Sequence, residues 1–236
     1  MAFHCFRGRR GAYTATATAC ATAGLSLLAA AYLPHQQPPP APPSSARAQV
    51  QPPTAPTGPG RQAPVLPVSE PVRITARSIG LAAPVEAVGT AKDGSVALPA
   101  DPGRAGWYTG SPTPGERGNA ILAAHLDSTS GPAAFYSLGA LRQGDRITVE
   151  REDGRDAHFT VTAMHVYAKS SVPSETVYGP TAHPQLTLIT CADWDRAAKE
   201  YRANLVITAH PTTGNNAASS AVATRTGAER RHEGPR

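Results

Sequence analysis

Residues 186–191 read LTLITC, and the alternation of β-branched residues in this stretch predicts a buried strand. The polar residues that follow, CAD at 191–193, indicate that the strand ends at Cys191. A thiol at the end of a strand can act as a nucleophile, although a lone cysteine is more often buried and inert. The stretch alone leaves both interpretations of Cys191 open.

Composition predicts one folded domain with long tails. The chain has 236 residues, of which 24 are proline and 21 are glycine. The prolines concentrate between 34 and 71, where few residues could contribute to a core. The domain is therefore expected at 71–210, a span of roughly 140 residues that is ample for a single buried core.

The net charge of +5 owes much to arginines near both ends of the chain. No stripe of Lys and Arg interleaved with aromatic residues occurs in the middle, so no nucleic-acid partner is expected. A membrane surface or an anionic cell wall is an equally good partner for such tails. Of Cys5, Cys20 and Cys191, only Cys191 lies in the expected domain, and no Cys/His spacing typical of zinc occurs. Neither an internal disulfide nor a metal or other cofactor is expected.

The N-terminus has the pattern of a membrane anchor. Residues 1–10 are basic, and residues 11–33 carry no charge over a length that can cross a bilayer. Basic residues before a span place the N-terminus in the cytoplasm and the remainder outside. We expect a retained, single-pass signal-anchor in the cell membrane, with the folded domain extracellular. A cleaved signal peptide stays open, because Ala46-Arg47-Ala48 resembles a cleavage site.

Two segments are expected to be disordered. Residues 34–70 are rich in Pro and Ala with almost no charge, which predicts an extended stalk between membrane and domain. Residues 211–236 are polar and predict a disordered tail.

Short strands separated by turn residues dominate the expected domain. They are predicted at 72–74, 83–88, 96–99, 120–124, 145–151, 158–167, 186–190 and 204–209. Residues 103–118 and 169–185 are predicted as loops and 132–141 as a short helix. Many short strands with little helix predict an all-β barrel or sandwich.

Three residues of this pattern suggest a reaction centre. The strand at 120–124 leads to His125, so an imidazole and the Cys191 thiol can meet at one rim. Such a pairing favours the thiolate and activates it as a nucleophile. Acyl transfer also creates an oxyanion that needs donors or a positive charge. Arg202, at the start of the last strand, can supply that charge, with Arg196 as a competitor.

Three segments resemble the signature segments of sortases: AAHLD at 123–127, TLITC at 187–191 and YRANLV at 201–206. Further matching segments are LPADP at 98–102, GWY at 106–108, PGERGNA at 114–120, GPAAF at 131–135 and VYG at 177–179. The sequence is most similar to the class F group, sometimes grouped near class E, of high-GC Gram-positive bacteria. The resemblance covers about residues 71–210, and the N-terminal span and stalk agree with it.

The resemblance implies a closed β-barrel of about eight strands with one or two short helices. It also implies a cysteine transpeptidase that cuts an LPXTG-type sorting signal between Thr and Gly. The partners would be surface proteins that carry this signal at the C-terminus. The acyl group would pass to an amine of a peptidoglycan precursor, lipid II.

By the same resemblance, Cys191 is the nucleophile and His125 the general acid and base that protonates the leaving amine. Arg202 would orient the substrate and stabilise the oxyanion. Thr190 would lie beside the thiol and help to place the substrate carbonyl. Ala124 stands where the family often has Gly, a small-for-small change. The loop 169–185 corresponds to a substrate-selecting segment, and its single acid gives no calcium cluster.

Other interpretations remain. Asp127 could orient His125 in a triad-like way, although an acid at this position more often faces solvent. An L,D-transpeptidase also uses an exported cysteine and histidine, but residues 190–192 lack its Ser-His-Gly-Cys type of motif. A non-catalytic, wall-binding β-barrel on a membrane stalk is the non-enzymatic alternative.

Overall fold

The structure, a computed structural model, describes residues 38–48 and 64–212. Its strands are β1 (Pro71–Ala76), β2 (Leu81–Val88), β3 (Ala105–Tyr108), β4 (Asn119–Ala123), β5 (Asp127–Ser128), β6 (Gly131–Pro132), β7 (Arg146–Arg151), β8 (Asp156–Ala168), β9 (Gln185–Asp195) and β10 (Glu200–Pro211). Two α-helices, α1 (Ser45–Ala48) and α2 (Ser174–Tyr178), are short, as are the 3-10 helices Arg77–Ile79, Tyr136–Ala140 and Lys169–Ser171. The predicted all-β class is confirmed.

Eight of the strands close into a barrel in the order β1-β2-β3-β4-β9-β10-β8-β7, with β7 pairing back onto β1. The pairs β2–β3 and β4–β9 are parallel, and the other pairs are antiparallel. Closure satisfies the backbone groups that an open sheet would leave at its edges. The strands β5 and β6 form a separate two-stranded ribbon just after β4. The predicted closed barrel of about eight strands is confirmed.

Alternation along the strands fills the barrel interior with apolar side chains. The largest fully buried ones are Ile74, Leu122, Phe135, Leu138, Leu141, Ile147, Val149, Phe159, Leu186, Leu188 and Ile207. Residues 186 and 188 of β9 contribute to this core, whereas Ile189 belongs to a second apolar cluster. The two clusters lie on opposite faces of the sheet because successive side chains point to opposite sides.

The prediction of a loop across 103–118 is wrong for residues 105–108, which form β3. This strand has only four residues and contains Gly106, so no alternation marks it. A Cβ at Gly106 would lie 2.8 Å from the side chain of Val88, so glycine is needed for the close approach of β2. Pairing with strands distant in sequence, rather than local preference, makes β3 a strand.

The prediction that the central strand ends at Cys191 is also wrong, because β9 continues to Asp195. Beyond the barrel rim β9 pairs with β10, with Trp194 opposite Tyr201 and Asp195 opposite Glu200. This part of the hairpin is largely exposed, so polar residues occupy it without loss of pairing. The alternation of buried side chains that predicts the strand therefore ends at Cys191, although the strand itself continues to Asp195.

Three shorter predictions change in detail. The helix expected at 132–141 is the 3-10 helix Tyr136–Ala140. The loop expected at 169–185 contains α2. The piece expected at 96–99 contributes a single bridge, Thr90 with Val96.

Two parts of the range expected as a stalk contact the barrel. In the first, Ala46 of α1 is buried in the inner core, and α1 packs against β8. A Cβ built on Gly139 would lie 2.1 Å from the Pro40 carbonyl oxygen, so the chain passes over this glycine at close range. In the second part, residues 64–70, the Leu66 N–H donates to the Gly115 carbonyl at 2.9 Å. Residues 49–63 lie outside the described residues.

Arg151, at the end of β7, holds residues 64–70 against the barrel. Its side chain is fully buried, and it donates to the carbonyl oxygens of Pro67 and Pro114 and to the Asp153 carboxylate. The Arg151 guanidinium, as the largest cause, holds the pKa of Asp153 below its usual value. Because Pro114 is buried, loss of the arginine would leave its carbonyl oxygen without a donor.

The expected basic segment at 1–10 and span at 11–33 lie outside the described residues, as does the tail beyond Thr212. Within 38–48 and 64–212, no helix has the length and apolar character needed to cross a membrane.

We predict that Arg151→Met lowers the free energy of unfolding by about 2 to 3 kcal/mol, because the buried Pro114 carbonyl loses its donor. Urea unfolding of the full chain, followed by circular dichroism, measures this. The matched control is Arg73→Met, whose pair with Glu150 spans 3.9 Å between half-exposed side chains. Its cost should stay below about 1 kcal/mol. Equal effects of the two substitutions would contradict the anchoring role of Arg151.

Candidate active site

The parallel pairing of β4 with β9 brings His125 and Cys191 to the same level. In this register Asn119 lies beside Gln185 and Ala123 beside Ile189. Beyond the strand, the Ala124 N–H still donates to the Ile189 carbonyl. Continuing the register by two residues sets His125 level with Cys191. The sequence predicted that these residues meet at one rim, and the register supplies the geometry.

The antiparallel pairing of β9 with β10 sets Arg202 on the same face as the thiol. Asn204 lies directly opposite Cys191, so Arg202, two residues away on β10, is the diagonal neighbour on that face. The Arg202 side chain is 60% exposed and forms an ion pair with Asp195. The pKa of Asp195 lies below its usual value because the N–H groups of Ala198 and Ala197 bind it, with Arg202 adding to the effect. The competitor Arg196 is exposed in the turn of the hairpin.

His125 is half-buried, and its Nε2 lies 3.0 Å from the Pro99 carbonyl oxygen. A carbonyl only accepts, so Nε2 carries the proton in this contact. The loop after β4 is also fixed through its backbone, because the Phe135 N–H donates to the His125 carbonyl at 3.0 Å. Within the described residues, no hydrogen bond joins the imidazole to the Cys191 thiol.

The Cys191 thiol is free and half-buried. Burial raises the pKa of Cys191, the positive charge of Lys169 opposes that rise, and the Asp127 carboxylate adds to it. The sequence suggested that an imidazole would stabilise the thiolate. In the structure the environment of the thiol favours protonation instead.

Thr190 faces away from Cys191, because neighbouring residues of a strand point to opposite sides. Its buried hydroxyl donates to the Ala124 carbonyl at 2.9 Å, directly before His125. Thr190 therefore contacts the backbone that carries the histidine rather than the space around the thiol.

An apolar cluster lies on the same face as Cys191. Ile121, Ala123, Ile189 and Val206 of the barrel strands are buried in it, and Val177 of α2 packs on them. We call these five residues the outer cluster; Val96, Tyr108, Tyr167 and Val172 pack partly buried around it. Ile189 lies two residues before Cys191 on β9, so the two side chains are neighbours on that face.

A buried polar network fixes α2 over the outer cluster, and sequence reasoning missed it. The Asn119 side-chain amide donates to the Val177 carbonyl at 2.9 Å. The Asn119 oxygen in turn accepts from Thr187 at 2.7 Å and from Gln185 at 3.2 Å. No local pattern marks these residues, since their partnership arises only when β4 and β9 pair.

A second contact missed by sequence reasoning joins Asp127 to Tyr201, whose hydroxyl donates to the carboxylate. The acid neither faces solvent freely nor bonds to His125, the two outcomes that the sequence left open. In the sequence, the adjacency of Tyr201 to Arg202 was the one signal that could have pointed to this contact.

A cavity of about 1030 Å³ lies far from the thiol. Its lining includes Arg77 of the 3-10 helix after β1, Arg146 of β7 and His158 of β8. In the barrel order β1 is four strands from β9 in either direction, so this cavity opens on the opposite side. In the part of the chain that the structure describes, no group of three or more His, Cys, Asp or Glu side chains could hold a metal ion.

We predict that Thr190→Val lowers the free energy of unfolding by about 1 to 2 kcal/mol, because the buried Ala124 carbonyl loses its donor. The control, Thr190→Ser, keeps the hydroxyl and should retain most of that stability. Urea unfolding of both variants measures the difference. A valine variant as stable as the serine variant would show that the hydroxyl bond contributes nothing.

We also predict that Cys191 is alkylated by iodoacetamide with a pH midpoint above that of a model thiol, because its pKa is raised. Lys169→Gln should move the midpoint higher still, since a charge that favours the thiolate is lost. Lys92→Gln removes an equal charge elsewhere and should leave the midpoint unchanged. Mass spectrometry of the Cys191 peptide separates this thiol from Cys5 and Cys20. A midpoint below that of the model thiol would contradict the neutral resting state.

Comparison with known proteins shows the family of this chain. The family model described as "Sortase domain" matches residues 74–212. No curated protein matches the chain. Among solved structures, sortase C1 of Streptococcus agalactiae is 21% identical over 63% of this chain and 72% of its own, with a TM-score of 0.49.

Two further solved structures have similar values. Sortase A of Corynebacterium diphtheriae is 18% identical over 64% of each chain, with a TM-score of 0.48. The Clostridium perfringens sortase D5 transpeptidase is 16% identical over 61% of this chain and 79% of its own, with a TM-score of 0.46. The family model covers more than half of the chain and includes β4, β9 and β10, which carry the site. This protein belongs to the sortase family.

Proposed function

We propose that the protein is a cysteine transpeptidase that cuts an LPXTG-type sorting signal between Thr and Gly. The acyl group passes through a thioester on Cys191 to an amine of the cell wall, with the peptidoglycan precursor lipid II as the acceptor. The substrates are surface proteins that carry this signal near the C-terminus.

The observation that carries the proposal is the shared face of three side chains. The register of β4 with β9 sets His125 level with Cys191, and the register of β9 with β10 sets Arg202 diagonal to the thiol. A nucleophile, a proton carrier and a cation on one face are what acyl transfer requires. The partly buried apolar side chains around the outer cluster give this face an apolar character that suits the Leu and Pro of the signal.

The reaction follows from these groups. The Cys191 thiol gives its proton to His125 as Sγ bonds to the Thr carbonyl carbon, and the carbonyl electron pair moves onto oxygen. Arg202 stabilises that oxyanion. The C–N bond to Gly then breaks, and His125 returns the proton to the leaving amine. The acceptor amine attacks the thioester, loses a proton to His125, and the thiolate leaves and is protonated again.

Binding of the peptide has to change the partners of two of these groups. At rest His125 donates to the Pro99 carbonyl and Arg202 pairs with Asp195. The thiol is neutral at rest, so its proton has to leave during attack rather than before it. Thr190 supports the reaction indirectly, by fixing the peptide unit before His125.

We further propose class F as the group of this sortase, on the resemblance of the segments at 98–102, 123–127 and 187–191. We also propose that residues 11–33 anchor the chain in the cell membrane with the barrel outside. The uncharged length of this segment and the basic residues before it support that position.

Mass spectrometry of the full chain with an LPETG-type peptide and triglycine tests the function. The full chain, kept in mild detergent, is preferred because residues 39–46 and 64–70 contact the barrel. We expect a product joined at Thr. Cys191→Ala and His125→Ala should give none, and Arg202→Ala should lower the rate by about 100-fold through loss of oxyanion stabilisation.

Arg196→Ala is the matched control, since it removes an exposed arginine from the same hairpin and should stay within about twofold of wild type. Hydrolysis of the peptide without ligation would keep the thiol mechanism and reject triglycine as an acceptor. No cleavage of any of a panel of pentapeptides by a folded chain would reject the proposal in favour of a wall-binding barrel.

A further inference from the structure

A tyrosine and a carboxylate join the two elements that carry His125 and Arg202. Tyr201 lies in β10 directly before Arg202, and Asp127 lies in β5 two residues after His125. The Tyr201 hydroxyl donates to Asp127 Oδ2 across 74 residues of sequence, at a partly buried position. The bond therefore spans from the loop after β4 to the β9–β10 hairpin.

The tyrosine is a well-fixed donor. Its ring packs on Trp194 with 4.9 Å between ring centroids, and the same two residues pair across β9 and β10. Burial and the bond to Asp127 raise the pKa of Tyr201, so the hydroxyl keeps its proton throughout the physiological range. A hydrogen bond from such a hydroxyl to a carboxylate is stronger than one between neutral groups.

The pair and the Cys191 thiol interact electrostatically. Besides burial, which is the larger cause, the Asp127 carboxylate raises the pKa of Cys191. Neither residue bonds to His125 or to the thiol. The pair can thus influence the reaction only through the positions of its neighbours and through its charge.

The rest of the loop explains why such a tie matters. Its start is fixed to β9 by Ala124, whose N–H and carbonyl bond to Ile189 and Thr190. Backbone bonds from Ala133 to Leu126, from Ala134 to Pro102 and from Phe135 to His125 hold the rest of the loop, and none of them reaches β10. The hairpin end that carries Arg202 also projects past the rim and is largely exposed.

We propose that Tyr201 and Asp127 form a clasp, a positioning pair that sets the His125 loop against the Arg202 end of β10 on either side of Cys191. This inference rests on the proposed transpeptidase function. The hydrogen bond carries the effect, and the negative charge of Asp127 is not required for it.

Steady-state ligation by the full chain tests the clasp. Tyr201→Phe and Asp127→Ala should each lower kcat about tenfold, with KM changed by less than about twofold, because one hydrogen bond of positioning is lost. The double variant should be no slower than the slower single variant, since both break the same bond. Asp127→Asn keeps an oxygen acceptor without the charge and should retain at least about half of the wild-type kcat. Thr148→Val is the control and should match wild type, because the bond that it loses, to His158, joins β7 to β8 and involves neither the His125 loop nor β10.

Hydrogen exchange of residues 125–133 provides a readout that does not need activity. Exchange should quicken in Tyr201→Phe and Asp127→Ala but not in Asp127→Asn or Thr148→Val. If wild type ligates no peptide, the proposed function fails, and hydrogen exchange alone decides whether the clasp exists. Unchanged exchange overturns the clasp. In an active enzyme, losses that multiply in the double variant, or that appear only in KM, also overturn it.

Discussion

The parallel pairing of β4 with β9 is the constraint on which the rest of the site depends. Parallel strands run in one direction, so the residues that follow them emerge at the same end of the barrel. The loop that begins at Ala124 and the thiol of Cys191 therefore share one rim. The chain needs a long crossover to make such a pair, and that crossover contains β7, β8 and α2. An antiparallel pair would have sent the histidine to the opposite end.

The side chains of β9 alternate between the barrel interior and the outer face of the sheet. Leu186, Leu188 and Thr190 point into the barrel, and Ile189 and Cys191 point to the outer face. The outer face would be an exposed apolar surface without α2, which the buried network of Asn119 holds in place through Val177. Adjacent residues at 190 and 191 thus perform different tasks. Thr190 supports the backbone before His125, whereas Cys191 is available to a substrate.

At rest, the reactive groups of the site are occupied by other partners or kept neutral. The imidazole donates to a backbone carbonyl, the guanidinium pairs with Asp195, and burial keeps the thiol protonated. A neutral thiol is a poor nucleophile and is slow to oxidise. In the proposed reaction the peptide carbonyl and the leaving amine compete for the imidazole and the guanidinium. Chemistry is then coupled to binding, because the bound peptide has to displace these resting partners.

The sequence by itself determined the fold class and most strands. These follow from local signals, namely alternation within strands and turn residues between them. The sequence also suggested that His125 and Cys191 could meet at one rim, but the parallel register of β4 with β9 decides their placement. It did not reveal β3, the continuation of β9 past the rim, the inward side of Thr190, or the bond from Asp127 to Tyr201. Each of these depends on which strands become neighbours and in what register. Closure of the barrel decides that, because a four-residue strand or an exposed hairpin has no buried pattern of its own until its partner supplies the hydrogen bonds.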